Sequence, residues 1–372
     1  MRLPPGLSAT FSSGSTLSSS PLVCHLQKSL YGLRQASRWW YVKLSQALCS
    51  RGYSPSLNDY SLFSRKSDSS TVLLAVYIDD IILTINDLAE ITALKSFLDN
   101  EFKIKDLGVL NYFLGIEVAY IFGGLLLHQR KFIKDLLKEY HCENVTHVTC
   151  LFDLTVKLRT DMGDHLPSPE SYRSLVGKLN FLTHTRLDLA FAVQHLSQYL
   201  QKPTFSHMHA ALHILRYHQG SSKVGVFISN FLDLSLSAYC DSDWVACPDT
   251  RRLVTRFCIL LGGAHLLLVG LLSDFGIPVS VAIPILCDNQ TVIHIVKNLV
   301  FHARTKHIEV DFYFIRAKLH EGLIALNHVP TTSQLADVFT KPLTGLAHHS
   351  LLLKLGVQSP FTLKGVLELS KS

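Results

Sequence analysis

The segment TVLLAVYIDDIILTIND, residues 71–87, constrains this chain more than any other stretch. Two runs rich in β-branched and other apolar residues flank the adjacent carboxylates Asp79 and Asp80. Such a pattern predicts a β-hairpin with the acids at its tip or on the strand leading into it. Neighbouring carboxylates are costly between apolar strands unless a cation neutralises them. Oxygen donors at a hairpin tip suit Mg²⁺, which prefers a few carboxylates plus substrate phosphates to an all-protein cage. Two such ions about 3.5–4 Å apart stabilise both the attacking and the leaving oxygen in phosphoryl transfer. A plain Asp-Asp turn that only shapes the hairpin accounts for the same residues equally well.

Charge points to the class of partner. Residues 1–58 carry six basic side chains (Arg2, Lys28, Arg34, Arg38, Lys43, Arg51) and no acid, while the remaining chain has 29 of each sign. The whole excess of +6 therefore sits at the N-terminus. A one-sided positive segment favours a polyanion, nucleic acid first and an anionic membrane second, although a solvated surface gives the same charges. With 372 residues and 48% hydrophobic side chains the chain can bury two or three cores and is excluded from the disordered class. Its eight Cys show no C-x-x-C pair, which predicts reduced, mostly buried thiols. No apolar signal region opens the chain, so an intracellular, cytoplasmic or nuclear protein is expected.

Residues 6–21 are Ser-rich and read as a flexible tail. A helix is expected over 37–48, with Trp40, Leu44 and Leu48 on one stripe. Another is expected over 129–141, apolar at Phe132, Ile133, Leu136, Leu137 and Tyr140 and basic at Lys131, Lys134 and Lys138. Three more follow near 170–184, 189–201 (Asp188 as N-cap) and 205–218, the last stopping at Gly220. Beyond 222 the pattern changes to strands at 224–229, 234–240, 253–261, 281–287 and 323–329, with helices over 307–320 and from Ser333. Hairpin strands followed by alternating strand and helix imply a mixed sheet with helices packed on it. The uncharged run 257–272, sixteen residues long, is short for a bilayer span and reads as buried strand.

Three further acids stand at element ends. Asp241 lies on the less apolar face of its strand, Asp288 ends another strand, and Asp337 begins a helix in SQLADVFTKPL. A strand's carboxyl end is where α/β sheets present ligands. Taken singly, a turn acid at 241 and an N-cap at 337 account for these residues better than a metal does. His141, Cys142, His147 and Cys150 form a partial zinc set that lacks a well-placed fourth ligand.

Taken together, VCHLQKSLYGLRQASRWWY (23–41), AVYIDDIILT (75–84), FKIKDLGVLNYFLGIEV (102–118), SYRSLVGKLNFLTHTRLDLAFAVQHLSQYL (171–200), AYCDSDWVACPDTRR (238–252), LCDNQ (286–290), RTKHIEVDFYFIR (304–316) and QLADVFTKPL (334–343) resemble the copia-type LTR retrotransposon Pol polyprotein in its reverse transcriptase–RNase H portion. The resemblance runs from about residue 20 to 357. It implies an α+β and α/β multidomain fold: a Ser-rich N-terminus (1–21), a partial palm and thumb (22–150), a helical connection (151–222), an RNase H-like mixed-sheet domain (223–345) and a tail (346–372). It implies that Asp79 and Asp80 are the polymerase metal pair and that Asp241, Asp288 and Asp337 are three RNase H metal ligands, all serving Mg²⁺. Arg34, Gln35, Arg38 and Trp40 would lie beside template and nucleotide, Phe113, Leu114 and Gly115 would form the primer grip, and Lys131 and Lys134 would belong to the thumb. The implied partners are an RNA template, a DNA primer and an RNA–DNA hybrid, with no membrane.

The departures are as informative. The family's upstream catalytic aspartate has no counterpart, since no acid precedes Asp59, and its RNase H glutamate has none, since no Glu lies between Glu170 and Glu309. About 30–40 residues that would hold that helix are missing after LGG, more than the ten or so a helix needs. A truncated, internally deleted and catalytically defective copy is expected. A non-catalytic nucleic-acid-binding remnant is the alternative, and a membrane-associated product of 257–272 a third.

Overall fold

Alternation in the 71–77 run sets the first sheet: Val72, Leu74 and Val76 are buried, as a strand with one covered face requires. The computed structural model of the chain describes residues 32–67, 71–78, 80–84, 87–148, 150–151, 158–230, 235–243, 254–261, 264–265, 281–298, 315–341, 343 and 345–358. These divide into two compact units, Met1–Lys105 and Asp106–Ser372.

In the first unit, helix α1 (Ala36–Ser50) precedes strands β1 (Ser54–Pro55), β2 (Leu62–Lys66), β3 (Thr71–Tyr77) and β4 (Asp80–Thr84), which form an antiparallel sheet in that order. Helix α2 (Leu88–Phe102) follows. Leu44 and Leu48 of α1 and Leu94 and Leu98 of α2 pack with Phe63, Val72, Leu74 and Val76, so both helices cover one face of the sheet. The Asp87 carboxylate caps α2 by accepting the N–H groups of Ala89 (2.9 Å) and Glu90 (3.4 Å).

The second unit holds two sheets and a helical layer. Strands β5 (Tyr112–Phe113), β6 (Ile116–Ile121) and β7 (Gly124–His128) are continued by β8 (Gly225–Ser229). Between β7 and β8 lie helices α3 (Arg130–Glu139), α4 (Pro169–Leu182), α5 (Ala190–Ser197) and α6 (Phe205–Ser221). Ile133, Leu136, Leu175, Leu179, Val193, Leu196, Ile214 and Leu215 make their common core. The exposed face of α3 carries Lys131, Lys134 and Lys138, as its period predicts.

The third sheet has strands β9 (Leu236–Asp243), β10 (Val254–Leu261), β11 (Ala264–His265), β12 (Ile283–Cys287) and β13 (Ile324–His328), ordered β11-β10-β9-β12-β13. The β9–β10 and β10–β11 pairs are antiparallel, while β12 is parallel to both β9 and β13. This is the mixed sheet that the C-terminal pattern predicts. Residues 315–320 are helical and Gly322 follows at φ +71°, the left-handed stop expected there. The remainder of the 307–320 helix, and residues 262–263 and 266–272 of the uncharged run, lie outside the described residues. Among the described residues no helix is long and apolar enough to cross a membrane.

Three expectations differ from the structure. β8 joins β7 instead of the sheet built from 236 onward. Close backbone approach makes that long-range pairing possible: a Cβ at Gly124 would meet the Ile228 carbonyl oxygen at 2.0 Å, and one at Gly225 that of Leu127 at 2.1 Å. Asp188 is not an N-cap. It lies in a 3₁₀ turn (Leu187–Leu189) before α5, where Arg186 takes it in a two-pronged ion pair, Nε to Oδ1 at 2.9 Å and Nη2 to Oδ2 at 2.7 Å. And α6 runs through Gly220 to Ser221.

Both members of that pair are fully buried. Arg186 also donates through Nη1 to His218 Nδ1 (2.9 Å) and the Ser221 carbonyl (3.0 Å), and lies over the Tyr217 ring at 5.3 Å. Burial pushes the Asp188 carboxyl up, but Arg186 outweighs it and holds the group below its ordinary range. Burial and Arg186 together hold His218 well below its usual 6.5, and burial lowers His348 as well. Removing one partner of such a pair leaves a bare buried charge, so Asp188→Ala should cost about 3–5 kcal/mol in urea unfolding.

The pH dependence carries a definite sign. The folded state holds the two His protons more weakly than the unfolded state, so stability is complete above the ordinary His range and falls as pH drops through 6.5. Tm should therefore be lower at about pH 5.5 than at about pH 7.5, with a smaller drop in His218→Gln, whose amide oxygen can still accept from Arg186.

Candidate metal centre

Two strands of the mixed sheet and a short helix bring Asp241, Asp288 and Asp337 together. Asp241 lies on β9, the central strand of the sheet. Its parallel neighbour β12 pairs Ile285 with Ala238 and Leu286 with Tyr239, and Asp288 follows the last residue of β12. Asp337 opens the short helix Asp337–Thr340, which is tied to β9 by Gln334 Nε2 donating to the Cys240 carbonyl at 3.0 Å. Each of the three acids offers a carboxylate oxygen within 4.8 Å of the others. Asp241 and Asp337 are buried and Asp288 is half-buried.

Two further residues complete the cluster. Thr340 Oγ1 donates to Asp241 Oδ2 at 2.6 Å, fixing that carboxylate's rotation. Lys341 Nζ lies 2.9 Å from Asp337 Oδ1 and 3.3 Å from Asp241 Oδ2. Burial raises the Asp337 carboxyl against the pull of Lys341. Burial lowers the Lys341 amine, but Asp337 and Asp241 outweigh it and the net direction is up. Sequence pattern alone singles out neither Thr340 nor Lys341. A signal for Lys341 exists all the same, since Asp337 and Lys341 stand at i,i+4 across a helical turn. Three buried or half-buried, convergent, hard oxygen donors fit a divalent cation such as Mg²⁺, by chemistry and by spacing.

The other candidates do not join this cluster. Asp80 is the first residue of β4, exposed and paired with Tyr77 at the end of the β3–β4 hairpin. Asp79 itself lies outside the described residues. Ile78 is exposed with φ +55°, a left-handed conformation rare for a β-branched residue. Arg34, Gln35 and Arg38 lie around the start of α1, with both arginines exposed. Trp40, by contrast, packs at the margin of the core with its ring centroid 6.4 Å from that of Phe102, and its neighbour Trp39 is the exposed indole.

In the second unit Phe113 pairs with Ile116 across a tight turn in which Leu114 (φ +49°) and Gly115 (φ +83°) are both left-handed, the type I′ geometry of two-residue hairpins. A Cβ at Gly115 would meet Phe181 of α4 at 2.7 Å, so only glycine lets this turn seat on α4. Lys131 and Lys134 are exposed on α3. Among the described residues the acid triad is the one group of three or more candidate metal ligands, and the His141–Cys150 set does not assemble. Cys142, Cys258 and Cys287 are buried free thiols, as expected, while Cys49 and Cys150 are exposed.

The chain is similar to known proteins over most of its length. Residues 10–152 match the family described as reverse transcriptase (RNA-dependent DNA polymerase). The chain is 35% identical to the retrovirus-related Pol polyprotein from transposon RE2 of Arabidopsis thaliana over 93% of its own length and 26% of that protein. It is 37% identical to the corresponding polyprotein of transposon RE1 over 90% of its length and 25% of that protein. It therefore spans about a quarter of these relatives. An uncharacterized mitochondrial protein of the same plant is 35% identical, covering 51% of this chain and 78% of that protein. A foamy viral protease-reverse transcriptase, solved in complex with double-stranded DNA, aligns at a TM-score of 0.41 and 11% identity over 80% of this chain and 49% of that one. By these sequence matches, the chain belongs to the reverse transcriptase family carried by retrovirus-related transposon Pol polyproteins.

Proposed function

We propose that this chain is the reverse transcriptase–RNase H segment of a copia-type LTR retrotransposon Pol polyprotein, and that it binds RNA template, DNA primer and RNA–DNA hybrid but turns them over poorly. The observation that carries the reading is the convergence of Asp241, Asp288 and Asp337 within 4.8 Å on a mixed sheet. The family match and the hairpin carrying Asp80 support the polymerase half.

Mg²⁺, when bound, would supply Lewis-acid stabilisation of charge on a phosphate and its leaving oxygen. Asp241, Asp288 and Asp337 would hold it, with Thr340 keeping the Asp241 carboxylate in one rotamer. Asp79 and Asp80 would serve the same role at the polymerase hairpin. Arg34 and Arg38 offer guanidinium groups to a phosphate backbone, and Phe113, Leu114 and Gly115 present a rigid turn to a primer strand. Lys131 and Lys134 add exposed positive charge on α3.

Impairment follows from ligand count. Among the described residues the RNase H-like cluster has three carboxylates, and no Glu occurs between Glu170 and Glu309 to supply a fourth from the intervening segment. Loss of one ligand loosens ion geometry and misplaces the nucleophile, and small misplacements cost orders of magnitude in rate.

Two measurements test this. Primer extension on an oligo(dT)-primed RNA template with Mg²⁺ should give no product above an Asp79→Asn, Asp80→Asn double variant. Extension that the variant lacks would mean that the polymerase site works and that the chain is not impaired there. Binding of an RNA–DNA hybrid should weaken steeply with salt, log Kd rising by about 0.7–0.9 per log unit of salt for each phosphate contacted. Salt-insensitive or absent binding would remove the nucleic-acid reading.

A further inference from the structure

We propose that Lys341 is the resident counter-cation of the acid cluster: its ammonium occupies the position between Asp241 and Asp337, and a divalent ion enters only when Lys341 swings out to water. The inference rests on reading the cluster as a metal centre and adds a gatekeeper to it.

The geometry carries it. Nζ is 2.9 Å from Asp337 Oδ1 and 3.3 Å from Asp241 Oδ2, so one ammonium bridges two of the three carboxylates. The Asp241 oxygen it faces also accepts the Thr340 hydroxyl at 2.6 Å, which leaves that oxygen little free capacity. Mg²⁺ or Mn²⁺ bonded to the same oxygens would stand about 2 Å from each, since divalent ions of this size dehydrate onto carboxylates at that distance. An ammonium held by those oxygens would then share their negative charge with a like-charged ion in a buried site. The two cations compete for the same carboxylates.

Lys341 also has an exit. Its side chain is 31% exposed whereas those of Asp241 and Asp337 are each 7% exposed, so Lys341 reaches water where the carboxylates it contacts do not. It follows the last residue of the Asp337–Thr340 helix in an extended conformation, and its four-carbon stem can turn outward without moving the helix. The arrangement solves a folding problem as well. Two buried carboxylates would repel each other before any metal arrives, and Lys341 offsets one of their two charges in the meantime.

The test is a Mn²⁺ titration of the full chain, followed by calorimetry and by the electron paramagnetic resonance of free Mn²⁺. Lys341→Met should bind Mn²⁺ about tenfold or more tightly than wild type, the worth of one charge-assisted contact that no longer has to be broken. Its metal-free Tm should be lower and should recover with Mn²⁺. Lys341→Arg, which keeps the charge, should stay near wild-type affinity.

A second readout needs no variant: acetic anhydride labelling of Lys341 in the wild-type chain, read by peptide mass spectrometry, should increase when Mn²⁺ is added. Unchanged or weaker binding in Lys341→Met, or labelling that Mn²⁺ leaves unchanged, would overturn the role of Lys341 while leaving the metal centre standing. Failure of both proteins to bind Mn²⁺, with Asp241→Asn no different, would take down the metal centre and this inference with it.

Discussion

A guanidinium and a carboxylate removed from water, Arg186 and Asp188, form the joint on which the larger unit is assembled. Their 3₁₀ turn sends Leu187 into one core, beside Val338, Phe339 and Leu351, and Leu189 into the other, beside Leu175 and Val193. Asp188 stands between the two leucines, so the ion pair fixes the angle at which the helical layer meets the core beneath the Asp337–Thr340 helix. Neither charge could be buried alone. Arg186 spends its remaining donors on His218 and Ser221 at the end of α6, which fastens that helix to the same turn. The Asp337–Thr340 helix thus shares, through Val338 and Phe339, the core that holds Leu187 from a turn about 150 positions earlier in the chain.

The acid cluster obeys the same electrostatic logic with the opposite outcome. At Asp188 the counter-charge is sealed in and permanent. At Asp241 and Asp337 it is a lysine that reaches water, with a long flexible stem. A sealed pair fixes architecture, whereas an exchangeable one leaves a place for a stronger cation.

Local periodicity makes most elements legible. The stripe of Leu44 and Leu48, the face of Ile133, Leu136 and Leu137, and the alternation of Val72, Leu74 and Val76 each point to a buried surface that the structure contains. The three acids are legible one at a time because each stands at an element's end, and their meeting depends on sheet order, which local pattern does not encode. The same limit hides the β7–β8 pairing, joined across about a hundred residues and permitted by two glycines that resemble ordinary strand breakers. Asp188 resembles an N-cap because an acid before an apolar helix usually is one. Its real partner, Arg186, is only two positions away, but nothing local signals that both will be buried. Trp40 lies two residues beyond Arg38 and so suggests an aromatic for stacked bases, yet its i,i+4 relation to Leu44 already directs it towards the core.

The hairpin that carries Asp80 turns through Ile78, a branched aliphatic residue exposed to water and held at φ +55°. Asparagine or glycine would make that turn at lower energy, and isoleucine gains no burial in return. A turn built against its own preference stores roughly 1–3 kcal/mol, which the paired strands β3 and β4 must supply. The conformation of Ile78 therefore depends on the sheet beneath it. Mutational drift at this position has an easy downhill path toward a better turn residue. An asparagine or glycine at 78 would return that energy to the folded state without disturbing a buried contact.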